Sequence, residues 1–128
     1  MPLTGLHPQP VQIFRLWQTF LDNVNPLSKV IHAPTVQHQI LEASADLEKV
    51  PRGMEALMFA IYAASVNSMD SGECETMLGE SKQIVLARFI KAAEQALIRA
   101  SFLVSTDLVV LQALTLFLVS SSTPLAFL

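Results

Sequence analysis

With 128 residues, 52% of them apolar and only 15% charged, the chain holds enough apolar mass for one domain with one core and too little length for a catalytic domain beside a regulatory one. A net charge of -3 and a pI near 5.5 provide no cationic field against phosphates, and the Lys and Arg residues are scattered, so direct nucleic-acid binding is not expected. Cys74 is the only cysteine, which excludes an internal disulfide and a cysteine-built zinc site within one chain and points to a reducing compartment.

Residues 1–10 hold three of the seven prolines and read as an extended, proline-rich lead-in. They contain neither a basic n-region nor an apolar h-region, the two parts of a secretory signal. From Val11 to Val24 the apolar residues Ile13, Phe14, Leu16, Trp17, Phe20, Leu21 and Val24 recur at spacings of three and four, the pattern of an amphipathic helix. Pro26 biases Asn25 away from the helical region and stops that helix near Asn23 or Val24. Pro34 does the same to Ala33, and Thr35 follows as an expected N-cap for a helix beginning at Val36. Between the two breaks Leu27, Val30 and Ile31 predict a connector that is packed down rather than solvated. Val36, Ile40, Ala43 and Leu47 then mark one face of a shorter second helix.

Pro51 is placed to start a third helix, whose inward face is Met54, Leu57, Met58, Ile61, Tyr62, Ser65 and Val66. Ala60, Ala63 and Ala64 leave it a thin side for close packing. Asp70-Ser71-Gly72 ends it, and one or two turns over Glu73–Leu78 lead to Gly79, which suits a left-handed C-cap. Ser81 opens the longest predicted helix, Lys82–Phe102, with Ile84, Val85, Leu86, Phe89, Ile90, Ala93, Leu97 and Ala100 inward. Lys82, Arg88, Lys91, Glu94, Gln95 and Arg99 are assigned to its wet side, with Glu94 and Arg99 too far out of register to pair. Ser105-Thr106-Asp107 is a helix-start cluster. Leu108–Val119 is apolar almost all round and, at about twelve residues against the roughly twenty that span a bilayer, reads as a central buried helix rather than a membrane span. The remainder, 120–128, is a break and a short apolar tail.

Groups able to do chemistry are sparse. His32 and His38 are six residues apart, which does not set two imidazoles on one helical face as a metal pair requires, and His32 reads as a packing residue. His38 and Glu42, at i and i+4, suit a surface contact more than a metal or acid–base site. Cys74 lies between Glu73 and Glu75, whose charges raise a thiol pKa, so a nucleophile is disfavoured. Met54, Met58, Met69 and Met77 read as gap-filling core rather than a ligand lining. No glycine-rich phosphate loop, nucleophile elbow or carboxylate pair is present. No catalytic, cofactor-binding or metal-binding residue is assigned.

Four segments taken in order resemble a known family. They are Leu16-Trp17-Gln18-Thr19-Phe20-Leu21; the connector Asn25-Pro26-Leu27-Ser28-Lys29-Val30-Ile31-His32-Ala33-Pro34-Thr35; Met54-Glu55-Ala56-Leu57-Met58-Phe59-Ala60-Ile61-Tyr62-Ala63-Ala64; and Asp107-Leu108-Val109-Val110-Leu111-Gln112-Ala113-Leu114. From about Leu6 to Val119 the chain resembles the fungal-specific transcription factor domain, the middle homology region of zinc binuclear cluster regulators. The resemblance implies an all-α regulatory domain, here an irregular array of about five to six helices.

The family's DNA-binding module needs six cysteines and a basic segment, which a chain with one cysteine does not hold. The family's later helices, with a Gly-Leu-His-Arg type motif, are likewise not seen. The expected organisation is a lead-in over 1–10, a partial regulatory domain over 11–119 and a divergent tail over 120–128. The expected function is regulation of a fungal gene set, such as a secondary-metabolite cluster, from the nucleus or else the cytoplasm. It would be exerted without catalysis, cofactor or membrane span, through contact with a full-length relative or the transcription machinery as a homo- or heterodimer. The alternatives are a small apolar-ligand-binding or accessory module, a membrane-associated protein and a remnant without function.

Overall fold

The computed structural model describes residues 4–24 and 33–101. The centre of the proline-bracketed connector and the Leu108–Val119 stretch, with the packing expected of each, lie outside the described residues. Within them the fold is all-α, with five α-helices and no strand. The helices are α1 (Pro10–Thr19), α2 (Ala33–Ala45), α3 (Arg52–Ser68), α4 (Ser71–Leu78) and α5 (Lys82–Ser101). The expected lead-in is not uniformly extended, because Thr4–Leu6 makes one turn of 3-10 helix.

The core is built around α3. Every residue from Met54 to Val66 is buried, so the face expected to be inward is only part of what is covered. The reason is that α3 has neighbours on more than one side: α5 packs along it more extensively than any other described pair of elements, and α1 with its continuation packs against it as well. Ala56, Ala60, Ala63 and Ala64 on α3 and Ala92, Ala93 and Ala96 on α5 are all buried, and short side chains let helix axes approach closely. Leu57, Met58, Phe59 and Ile61 fill the space around them; each large apolar side chain fully withdrawn from water contributes about 1.5–3 kcal/mol.

On α1, Ile13, Leu16 and Trp17 are buried as the periodicity predicts. The expected helical run to Val24 is present, but its last part, Phe20–Val24, is π-helix. The wider turn shifts the register by one residue. Phe20 is fully buried there, its ring stacked on Trp17 at 5.6 Å between centroids and 12° between planes. Beside this junction the Ser65 hydroxyl of α3 lies 2.8 Å from the carbonyl oxygens of both Leu16 and Ile61, and its single hydrogen serves one at a time. Asn23 Nδ2 donates to Ser68 Oγ at 3.1 Å, and that hydroxyl donates to the Ser65 carbonyl at 2.7 Å. Trp17 Nε1 donates to Gln37 Oε1 of α2 at 2.9 Å, tying α2 to α1 through a residue that periodicity assigns to the wet side.

Two local readings are corrected. Helix α2 already includes Ala33 and Pro34, so Thr35 lies inside its first turn and is not the N-cap of a helix starting at Val36. A proline fits the first turn because its missing amide hydrogen would have no intrahelical partner there. On α5, Ile84 is 59% exposed, whereas Val85, Phe89, Ala92, Ala93 and Ala96 form the buried face. Packing on α3 selects the alanine side, which a hydropathy pattern weights less than isoleucine.

The remaining breaks follow their local chemistry. Asp70 caps α4 in a reciprocal box with Glu73, accepting from its amide at 2.8 Å while the Glu73 carboxylate accepts from the Asp70 amide at 3.3 Å. Gly79 closes α4 with φ +75°. Lys82, expected to point outward, instead turns its Nζ onto the carbonyls of Asn67 (3.2 Å) and Met69 (2.6 Å), a cation at the negative end of α3. The Ser81 hydroxyl accepts from the Ile84 amide at 3.4 Å at the start of α5.

A methyl group built at Gly79 would meet no atom within 4 Å, so Gly79→Ala costs only the left-handed backbone strain. We expect a loss of about 1–2 kcal/mol in the unfolding free energy from urea titration, whereas Gly5→Ala, also with open space around it and no positive φ, should leave that free energy within about 0.5 kcal/mol of the parent.

Candidate functional site: a buried polar cluster under the N-terminal strap

Residue pattern sets the site up. Glu55 is the only charged residue from Met54 through Val66, and Glu55, Phe59 and Tyr62 stand at i, i+4 and i+7, on one face of α3. That face meets the N-terminal strap. His7, between the 3-10 turn and Pro8, inserts its imidazole with no exposed side-chain surface, against Glu55, whose side chain is 9% exposed.

A carboxylate only accepts, so His7 Nε2 donates to Glu55 Oε2 at 3.3 Å. The other ring nitrogen, Nδ1, is hydrogen-bonded to the Tyr62 hydroxyl at 2.9 Å. The other oxygen of Glu55, Oε1, receives Arg99 NH1 of α5 at 3.5 Å. The ring of His7 also stacks on Phe59 at 4.3 Å between centroids and meets Tyr62 edge-on at 5.7 Å. Tyr62 in turn sits 5.5 Å from Phe59 and 5.3 Å from Phe89 of α5. Strap, α3 and α5 are thus joined by one chain of polar contacts, Tyr62–His7–Glu55–Arg99, set in aromatic rings.

Burial, helped by the nearby Glu55 charge, pushes the Tyr62 hydroxyl well above its ordinary pKa of 10.0. It therefore keeps its proton. Chemically the chain of contacts is a lock: each polar atom of the imidazole is occupied, and the ring is covered. Arg99, read from sequence as a solvated partner too distant from Glu94, is instead half-buried and engaged with Glu55, a contact that requires the α3–α5 packing to exist first.

Alongside the lock, the strap and α5 enclose a cleft of about 330 Å³ lined by Leu6, Leu78, Val85 and Phe89 with Gln12, Glu80 and Arg88 at its polar edge. Arg88 and Glu80 face each other in a two-point pair, NH1 to Oε2 at 2.9 Å and NH2 to Oε1 at 2.6 Å. The hydrogen bond from Arg88 holds the Glu80 carboxyl below its ordinary pKa.

The residues weighed from sequence lie elsewhere. His32 is outside the described residues. His38 Nε2 and Glu42 Oε1 meet at 2.8 Å with both side chains largely exposed, a surface contact worth little. Cys74 is buried, and burial is the leading cause of its raised pKa; Glu75 and Glu80 add to the rise and Lys82 opposes it. The carboxylates of Glu73 and Glu75, the cause read from sequence, are at most a minor part. Met54, Met58 and Met69 are core residues and Met77 packs half-buried against the core. Among the described residues no three His, Cys, Asp or Glu side chains gather as metal ligands would, and no helix is long and apolar enough to cross a membrane. The lock itself is absent from the sequence reading, although a single acid in a run of thirteen buried positions was a usable signal, since a buried charge demands a partner.

Comparison with known proteins places similarity along nearly the whole chain. It is 49% identical over 114 residues, 89% of its length, to the aurofusarin cluster transcription factor aurR2 of Gibberella zeae. It is 47% identical over 118 residues, 92% of its length, to the transcriptional regulator nsrM of Aspergillus novofumigatus. It is 44% identical over 115 residues, 90% of its length, to the pyriculol/pyriculariol biosynthesis cluster transcription factor 1 of Pyricularia oryzae. The chain spans 17%, 17% and 15% of those three relatives respectively. No family model matches it, and no solved structure does.

Two outcomes test the lock. His7→Ala leaves the Tyr62 hydroxyl and one oxygen of Glu55 without their protein partner and should lower stability by about 2–3 kcal/mol in urea titration. In alkali the folded state keeps the Tyr62 proton to higher pH than the unfolded chain, so as pH rises above 10.0 the unfolded state loses its proton first and stability falls. Thermal melts from pH 8 to 11 should show that decline in the parent, and a shallower one in Tyr62→Phe, which has no proton to lose.

Proposed function

The chain is kin to one region of fungal cluster transcription factors, and from that kinship we propose that it is a regulatory-domain segment of a fungal gene-cluster regulator, acting in the nucleus through protein contacts and without catalysis. The observation that carries the reading is the 49% identity over 114 residues to a cluster transcription factor. Identity at that level across 89% of the chain spans the helices and the connector alike.

The geometry supports a scaffold role. The polar groups of the strap cluster satisfy one another, and the arginine ion pairs Arg88–Glu80 and Arg99–Glu55 tie elements of the fold together. The net charge of -3 favours protein over phosphate as the surface it meets. We assign residues 11–119 to the regulatory domain, 1–10 to the strap and lead-in, and 120–128 to a tail that diverges from the family pattern. The partner we propose is a regulator of the same family or the transcription machinery, met as a homo- or heterodimer. DNA contact is assigned to a separate zinc-cluster module. The genes governed would be those of a biosynthetic cluster, as they are for the aurofusarin and pyriculol/pyriculariol cluster factors among the relatives.

Expression of the chain in a fungal host beside a full-length relative should change transcript levels of that relative's cluster by at least about twofold, and the two should co-purify. Unchanged transcripts together with no co-purification would defeat the reading.

A further inference from the structure

We propose that the cleft between the N-terminal strap and α5 is a binding site for a small uncharged aromatic ligand bearing a hydroxyl or carbonyl group. Four observations define that chemistry. The cleft, at about 330 Å³, is at the lower end of the range for small-molecule sites, roughly 300–1,000 Å³. Its lining is mixed, polar and apolar in near-equal measure, and the apolar part, from Leu6, Leu78, Val85 and Phe89, is partly aromatic and favours a planar ring.

Its charged residues cancel. Arg88 and Glu80 bind each other through both nitrogens and both oxygens, so a charged ligand would have to break that pair to gain a partner. Gln12, half-buried on α1, is different: no side-chain hydrogen bond engages its amide among the described residues, and it stands in the cleft wall with both a donor and an acceptor to offer. An unpartnered amide beside an apolar floor selects a ligand with one polar atom on an apolar body.

The site also has a route to the rest of the fold. One wall is the strap, Gly5 to Pro8, and the strap is held by His7 in the lock with Glu55 and Tyr62. Phe89 is shared, lining the cleft while touching Tyr62 at 5.3 Å. A ligand that fits only the seated strap therefore stabilises the lock, since it binds one state of the strap and not the other. As an effector site it rests on the regulator reading, but the binding itself does not.

2-Naphthol is the probe, with 2-naphthoate as its anionic counterpart, titrated into the full chain and followed by amide NMR shifts and calorimetry. The expected result is saturable 2-naphthol binding with a Kd at or below about 1 mM, consistent with a small ligand of this size, and shifts centred on residues 5–12 and 78–89. 2-Naphthoate should bind at least about tenfold more weakly. Gln12→Ala should weaken 2-naphthol by about three- to tenfold, and Gln12→Trp, filling the cleft from an edge position, should abolish it. Circular dichroism and Trp17 burial at parental values establish that the Ala variant is folded. Absence of saturable binding, shifts away from the cleft, equal affinity for the anion, or full affinity in Gln12→Ala would each overturn the proposal. None of these results bears on co-purification or transcript levels, so the site and the regulator reading fail separately.

Discussion

The burial of α3 on all its sides is the constraint on which the other elements depend. A helix that hides thirteen consecutive residues cannot be stable against water and needs neighbours on each face. α5 supplies the longest of these, and its choice of face follows from α3: the alanine side is turned inward and Ile84 outward, because the close approach of two helix axes covers more atoms than one isoleucine would in a wider groove. α1 and its π-helical continuation supply another, and the strap adds His7.

Burying a helix so completely creates polar obligations, and the structure meets them with side chains from distant parts of the sequence. Ser65 offers its hydroxyl to carbonyls of α1 and of its own helix. Lys82 neutralises the carbonyls that α3 leaves at its end. Glu55, the one acid within the buried run, draws in His7 and Arg99. Each of these contacts stands where an element covers α3 and the backbone or a charge must still find a partner. The strap cluster is the most extended of them, since it closes strap, α3 and α5 together.

Such an architecture suits a segment whose relatives are fungal transcription regulators. A core held by one central helix with peripheral polar ties has rigidity in the centre and adjustable elements at its edge. The strap is one such element: the His7 side chain is fully covered, while Gly5 is exposed.

Much of this was legible in the residues alone, where a local rule decides the outcome. The periodicity over 11–24 located α1 and its buried Ile13, Leu16 and Trp17, because an amphipathic stripe is a property of spacing. Gly79 marked the end of α4, because a cap needs only its own few residues, whereas Asp70-Ser71-Gly72, read as the end of the preceding helix, supplies the N-cap and first residues of α4. The order of the motifs, through the family they resemble, pointed to an all-α regulator segment, since residue order is in the chain itself. Only the tertiary structure decided which side of α5 is covered, that Lys82 turns inward, and that His7, Glu55, Tyr62 and Arg99 meet. The physical reason is range: His7 and Tyr62 are 55 residues apart and Arg99 and Glu55 are 44 apart, and no pattern within one helix can specify a contact that exists only after three elements have packed.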